Sequence, residues 1–162
     1  MTSNPSILIP DPEVPAIRMR RHFDAPIDAV FAAHADPAVF GNWIGPDRLT
    51  NTIDLWDFRT GGAWRFHQED LDGNRFEFFG SFHEIRQNEL IVQTFTFTGF
   101  PDGVALERLV FAPLGADRCR LETMSLTNSF EDRDAMLASG MESGVIEGYR
   151  KLDTLLRGLA SG

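Results

Sequence analysis

Thiol chemistry is nearly absent from this chain of 162 residues: Cys119 is its one cysteine. That excludes an intramolecular disulfide and a thiolate metal cage, and it points to a reducing compartment. Long apolar runs are missing as well. Nothing approaches the roughly 18 residues of a bilayer span, and the N-terminus lacks the charged head and apolar stretch of a signal peptide. A cytoplasmic protein with no membrane partner is expected. Positive charge is short too, with 15 Lys plus Arg against 24 Asp plus Glu and a formal net charge of −9. No basic surface able to grip a phosphate backbone is expected, so nucleic acid is disfavoured as a partner. Tyrosine occurs once, against fourteen phenylalanines. Phenylalanine brings area without a hydrogen-bonding tip, so the interior should be wide, aromatic and chemically plain. At 43% hydrophobic and 24% charged, the rest fits one ordinary globular domain.

Residues 1–15 carry Pro5, Pro10, Pro12 and Pro15, a spacing that permits neither a helix nor a central strand, and they read as an extended N-terminal arm. From Ala16 to Asp24, Ile17, Met19, Arg21 and Phe23 alternate with Arg18, Arg20 and His22, as in a strand. Pro26 suits a first helical position, and Asp36 with Pro37 opens a second short helix running to about Trp43. From about Thr50 to Leu126 turn residues recur at Gly61-Gly62, Asp72-Gly73, Asp102-Gly103 and Gly115, which predicts an antiparallel meander of about six strands. Ser129 with Asp132 three residues on forms a capping box. A long C-terminal helix follows to about Leu159, with Gly140 as the place for a kink or break.

Hairpin registers follow from loop length. A three-residue Leu71-Asp72-Gly73 loop pairs Phe66 with Phe78 and Trp64 with Gly80 on one face, and Glu69 with Arg75 and His67 with Glu77 on the other. The same chemistry at Thr60-Gly61-Gly62 pairs Phe58 with Trp64 and Trp56 with Phe66. At Pro101-Asp102-Gly103 it pairs Phe97 with Glu107, Phe95 with Leu109 and Gln93 with Phe111. One face then collects Trp56, Phe58, Trp64, Phe66, Phe76, Phe78, Phe95, Phe97, Leu109, Phe111, Cys119 and Leu121. Only the C-terminal helix is long enough to cover it.

The apolar stripe of that helix holds Met136, Leu137, Met141, Val145, Tyr149, Leu152, Leu155, Leu156 and Leu159. Beside it run Gly140, Gly144 and Gly148, each costing about 1 kcal/mol against alanine in a helix. Two readings offset that cost: close backbone packing, or adaptable room left by the glycines with Met136 and Met141.

No pattern of metal ligands, nucleophile elbow, phosphate loop or dinucleotide fingerprint is present, so no metal or cofactor is expected. His22, His34, His67 and His83 read as surface residues, with His34 favouring the end of the first helix. Cys119 reads as a small core residue. The exceptions are polar residues on the aromatic face: Gln93 and Glu107, then Asp54 and Thr123. An inward Glu107 needs a partner or a wet cavity and could act as acid, base or polar anchor; at the sheet rim it would reach water.

The run Arg21-His-Phe-Asp-Ala-Pro26 with Val30-Phe31, Asp36-Pro37 and Trp43, then Asp57-Phe-Arg-Thr-Gly-Gly62 with Trp64, resembles the Aha1-like branch of the START/Bet v 1-like SRPBCC superfamily. Gly80-Ser-Phe-His-Glu-Ile85 and Ser139-Gly-Met-Glu-Ser-Gly144 with Tyr149 and Leu152 extend that resemblance over residues 16–160. It implies an α+β helix-grip over 16–160: a curved antiparallel sheet of about seven strands around a long C-terminal helix, with two short helices after the first strand. An elongated cavity between helix and sheet is also implied. The branch takes its name from a co-chaperone that stimulates the Hsp90 ATPase, while relatives elsewhere bind lipids, sterols or polyketides and some are enzymes.

The expectation is therefore a binding module for a small hydrophobic or amphipathic ligand. Its lining would be Trp43, Trp56, Trp64, Phe66, Phe76 and Phe78, with Gln93, Phe95, Phe97 and Glu107, and from the helix Met136, Met141, Val145 and Tyr149. Alternatives are a protein-interaction or stress module with a chaperone partner of Hsp90 type, or an enzyme with Glu107 as acid or base. Phe79 and a row of threonines on the outer face leave a homodimer open.

Overall fold

Alternation of apolar and polar residues shapes nearly every strand in the computed structural model, which describes residues 4–161. The order is β1 (Ile7–Pro10), β2 (Ala16–Phe23), α1 (Ile27–Ala35), α2 (Pro37–Phe40), β3 (Thr50–Trp56), β4 (Ala63–Glu69), β5 (Arg75–Arg86), β6 (Leu90–Phe97), β7 (Ala105–Pro113), β8 (Cys119–Leu126), α3 (Phe130–Ala138) and α4 (Met141–Ser161). All strands lie antiparallel in one sheet ordered β1-β2-β8-β7-β6-β5-β4-β3.

The sheet has eight strands rather than about seven, because part of the N-terminal arm joins it. The Asp11 carboxylate accepts from the Glu13 and Val14 amides and from Arg18 Nε, folding the chain into a hairpin. Residues 7–10 then pair with β2 at the sheet edge, where Pro10 removes no needed donor.

The β4–β5 hairpin has the expected register, with Phe66 opposite Phe78 and Trp64 opposite Gly80. Its Gly73 takes φ +85°, the left-handed conformation that glycine adopts at low cost. Two neighbouring registers differ from expectation. Between β3 and β4 the connection is longer than three residues, because Gly61 N–H donates to Phe82 C=O and Phe82 N–H to Gly62 C=O. Trp56 therefore faces Trp64, not Phe66, and Phe58 lies beyond the strand. Between β6 and β7, Phe100 N–H bonds Phe97 C=O and Gly103 N–H bonds Phe100 C=O, two successive turns where one had been expected. Gln93 consequently lies opposite Glu107, and Phe95 opposite Ala105. Both slips are even where the hairpins close, so Trp56, Gln93 and Phe95 keep their faces while their partners change.

Asp36 caps α2 by accepting from Ala38 N–H, and Ser129 caps α3 by accepting from Asp132 N–H. Helix α2 ends at Phe40, short of Trp43. Gly140, at φ +87°, breaks the C-terminal helix into α3 and α4. The other two glycines pack closely. A Cβ on Gly148 would stand 3.0 Å from the Trp43 carbonyl, and one on Gly144 3.5 Å from Pro46 Cδ. Close backbone approach to the α2–β3 connection thus accounts for this edge.

The core joins Phe23, Val30, Trp43, Phe82, Phe111, Cys119, Leu121, Leu152 and Leu156. Burial pushes the Cys119 thiol up to about 11, as suits an inert core residue.

Candidate functional site: the cleft under the C-terminal helix

Inner-facing side chains fall into two groups. Around α1 and the C-terminal half of α4 they are shut: Phe111 and Leu121 on the sheet, and Tyr149, Leu152 and Leu156 on the helix, are all buried. Toward the middle and far side of the sheet, Gln93, Phe95, Phe78, Glu107 and Leu109 point the same way yet are only half-buried. The backbone of α4 runs beside α1 and α3 over more residues than beside any strand. This stretch of the inner face beside α4 is thus partly open to solvent, and forms a shallow cleft in that sense alone.

One wall is a continuous run of rings. Trp64 packs on Phe66 and Phe95 at 5.5 and 5.3 Å between ring centroids. Phe78 meets Phe66, Phe95 and Phe97 at 5.2, 5.4 and 5.3 Å. Phe76 reaches Phe97, at 6.5 Å. Phe97 is 37% exposed; it, Phe76, Met136 and Met141 lie outside the packed core, whereas Val145 touches it. Gly80 makes the wall possible, since a Cβ there would stand 1.9 Å from the Thr94 carbonyl oxygen and 2.8 Å from Trp64 Cε2.

Trp43 and Trp56 serve a different purpose. Their indole N–H groups donate to the Ala33 and Ala35 carbonyls at 3.0 and 2.8 Å, which satisfies acceptors left open at the end of α1. Both rings belong to a second cluster under α1 and α2, where Trp43 stacks on Tyr149 at 5.2 Å and Trp56 lies 4.9 Å from Phe40. The Trp64 N–H, by contrast, is buried and has no partner among the described residues.

At the centre of the cleft sits a polar trio. Gln93 Nε2 donates to Glu107 Oε1 at 2.8 Å, and Ser125 Oγ donates to Oε2 at 2.8 Å. Glu107 keeps some surface, but desolvation pushes its carboxyl above the usual carboxylate range against the pull of both hydrogen bonds. Burial likewise raises the Tyr149 hydroxyl, and the charge of Glu107 raises it further, so the acid acts across the cleft on α4.

Two polar features close the end of the cleft. Arg21, 4% exposed, forms a two-pronged ion pair with Asp153 of α4 at 2.8 and 2.6 Å. His34 is buried rather than on the surface. Its Nδ1 lies 2.8 Å from the Val30 carbonyl and must carry the proton, which leaves Nε2 to accept from the Tyr149 hydroxyl at 3.4 Å. Burial holds His34 down at about 4, so the ring is neutral at pH 7.

His67 is also buried, on the outer face. A bulge between Ile53 and Leu55 turns Asp54 outward, where its carboxylate meets His67 Nδ1 at 2.7 Å. Asp54 thus leaves the inner set. Among the described residues no group of three or more His, Cys, Asp or Glu converges as a metal site would.

Sequence reasoning missed Ser125, Arg21, Asp153 and His34 as parts of this site. The correct β6–β7 register places Glu107 between Gln93 and Ser125, and would have revealed the trio. A separate surface cavity of about 370 Å³ opens between α1 and the β5–β6 turn, lined by Asp28, Phe31, Ala32, Ala35, Phe58, Ile85, Gln87 and Asn88. None of these was expected to bind ligand.

A curved antiparallel sheet embracing a C-terminal helix, with two short helices at one end, defines a helix-grip protein. Solved structures share it. A protein from Arthrobacter aurescens is similar at 25% identity over 94% of this chain and 91% of that one, with a TM-score of 0.86. One from Rhodobacter sphaeroides matches at 24% identity over 94% and 99%, TM-score 0.85. An AHSA1 protein from Silicibacter pomeroyi matches at 23% identity over 88% and 97%, TM-score 0.72. No curated protein matches the sequence. The profile of the family described as activator of Hsp90 ATPase homolog 1-like protein matches residues 24–157, and the chain belongs to that family. Among the described residues no helix is long and apolar enough to cross a membrane.

Proposed function

We propose that this protein is a binding module whose cleft between the aromatic wall and α4 receives a small hydrophobic or amphipathic molecule. The observation that carries this reading is the half-exposure of Phe78, Phe95 and Leu109 beside Glu107. Apolar surface on the concave side of a fold gains by being covered, at about 25 cal/mol per Å². The helix-grip resemblance points the same way. Of the residues expected to line the site, Trp64, Phe66, Phe78, Gln93, Phe95, Glu107, Val145 and Tyr149 would form its walls. Phe76, Phe97, Met136 and Met141 would form its mouth. Trp43 and Trp56 would support it from behind.

The test is titration with the neutral fluorescent probe N-phenyl-1-naphthylamine. Binding is expected to the parent protein and to be lost when Val145→Trp fills the cleft, with Ala32→Trp in the α1 groove as the comparison. Loss with Ala32→Trp alone would move the site to that groove, and no binding would overturn the reading.

A protein partner is the second reading, favoured by Leu106 and Val110, 42% and 40% exposed on the outer face of β7. Stimulation of an Hsp90-type ATPase, abolished by Leu106→Glu, would support it.

A further inference from the structure

We propose that the occupant of the cleft is an amphipathic organic cation, an apolar molecule whose protonated amine docks on the Glu107 carboxylate. This inference rests on the cleft being a binding site and adds the class of ligand.

The donors to Glu107, Gln93 Nε2 and Ser125 Oγ, are both neutral and fill one acceptor position on each oxygen. They hold the carboxylate in place without cancelling its charge, and each oxygen keeps a further lone pair. Among the described residues no Lys, Arg or His lies within ion-pair distance of it. Arg21, which faces Tyr149 on the inner side, is already engaged by both oxygens of Asp153. A partly buried carboxyl with two neutral hydrogen-bond partners and no counter-charge is an unusual arrangement, and its ionised form gains most from an incoming cation.

What surrounds it favours a cation. Phe95 stands two residues from Gln93 on the same face of β6 and continues into Trp64 and Phe78 at 5.3 and 5.4 Å. Aromatic faces attract organic cations through their ring quadrupoles. The field of Glu107 spans the cleft as far as Tyr149. A fatty-acid head would meet this anion with no partner of its own, and the formal net charge of −9 disfavours it further. Glu107 retains some surface, so an incoming head group can reach it.

The experiment compares decylamine, decanol and decanoate, all below their micelle concentrations, as competitors of the same probe on the full chain. The amine should bind about tenfold more tightly than the alcohol, and decanoate most weakly. Glu107→Gln should bring the amine to within about twofold of the alcohol and leave the alcohol unchanged, while Glu122→Gln on the outer face should leave the preference intact. Circular dichroism establishes that both variants fold. Equal binding of all three, or a preference that survives Glu107→Gln, would overturn the cation while the cleft stands. Failure of all three to bind would overturn both.

Discussion

Gln93 and Glu107 face each other across the β6–β7 ladder, joined by a 2.8 Å hydrogen bond on a face otherwise built largely from rings. The pairing makes the acid a fixed feature of the cleft, and its desolvation has a consequence for stability. In the folded protein the Glu107 carboxyl holds its proton to a higher pH than the 4.5 of an unperturbed glutamate. The folded state therefore binds more protons than the unfolded state in the window above 4.5, and stability falls as pH rises through it. Tyr149 is the ionisable group that this acid acts on, and Arg21, which also acts on Tyr149, is paired with Asp153. Glu107→Gln should abolish this dependence and be at least as stable as the parent at pH 7. Urea midpoints of both proteins at a series of pH values check it; a variant that loses stability only at high pH would contradict it.

His34 carries the opposite sign. Its folded value of about 4 lies below the ordinary 6.5, so the unfolded chain takes up the proton first as pH falls. The stability contributed above pH 6.5 is lost on the way down to about 4, on the order of 3 kcal/mol when complete. His34→Gln, which keeps polar contacts without a titrating ring, should remove that acid loss. The readout is the difference in urea midpoint between parent and variant, which should narrow and reverse as the medium is acidified.

Packing of the wall depends on Gly80. A Cβ there meets the Thr94 carbonyl oxygen at 1.9 Å and Trp64 Cε2 at 2.8 Å, neither of which can retreat cheaply. Gly80→Ala should cost about 3 kcal/mol. Gly61 has φ +85° but nothing within 4 Å of its Cβ position, so Gly61→Ala should cost about 1 kcal/mol from backbone strain alone. Thermal denaturation of the two variants should rank them in that order.

The outline of the fold was legible wherever periodicity or a cap spoke for itself. Trp64, Phe66 and Phe78 share a face because strand side chains alternate. Asp36, Ser129 and Gly140 mark helix ends because their side chains or backbone suit those places. Loop length was the weak point. Gly103 resembles the glycine of a short turn, yet Phe100 packs against it, with ring carbons 2.4 Å from its Cβ position, and the loop closes in two steps. That hid Gln93 from Glu107. Buried polar pairs were harder still. Asp54 reaches His67 only through a bulge, and His34 and Arg21 meet Tyr149 and Asp153 only once α4 is laid over the sheet. Those contacts are tertiary, and spacing along the chain does not contain them.

Arg21 and Asp153 test the closed end of the cleft. The guanidinium is almost wholly buried, stands 4.7 Å from the Phe23 ring centre, and binds both oxygens of Asp153, so β2 and α4 are tied together by a desolvated ion pair. Removing one partner leaves the other charge buried. Asp153→Ala should therefore cost about 3 kcal/mol or more, whereas the paired replacement Arg21→Met with Asp153→Leu should recover most of it, since apolar isosteres replace buried ion pairs at little cost. The single variant also frees the Arg21 charge on the inner face that Glu107 occupies. Its preference for decylamine over decanol should fall, while the double variant keeps the preference of the parent protein. Guanidinium denaturation and the probe competition read the two effects separately. An unchanged amine preference in Asp153→Ala would show that Arg21 does not influence the Glu107 site.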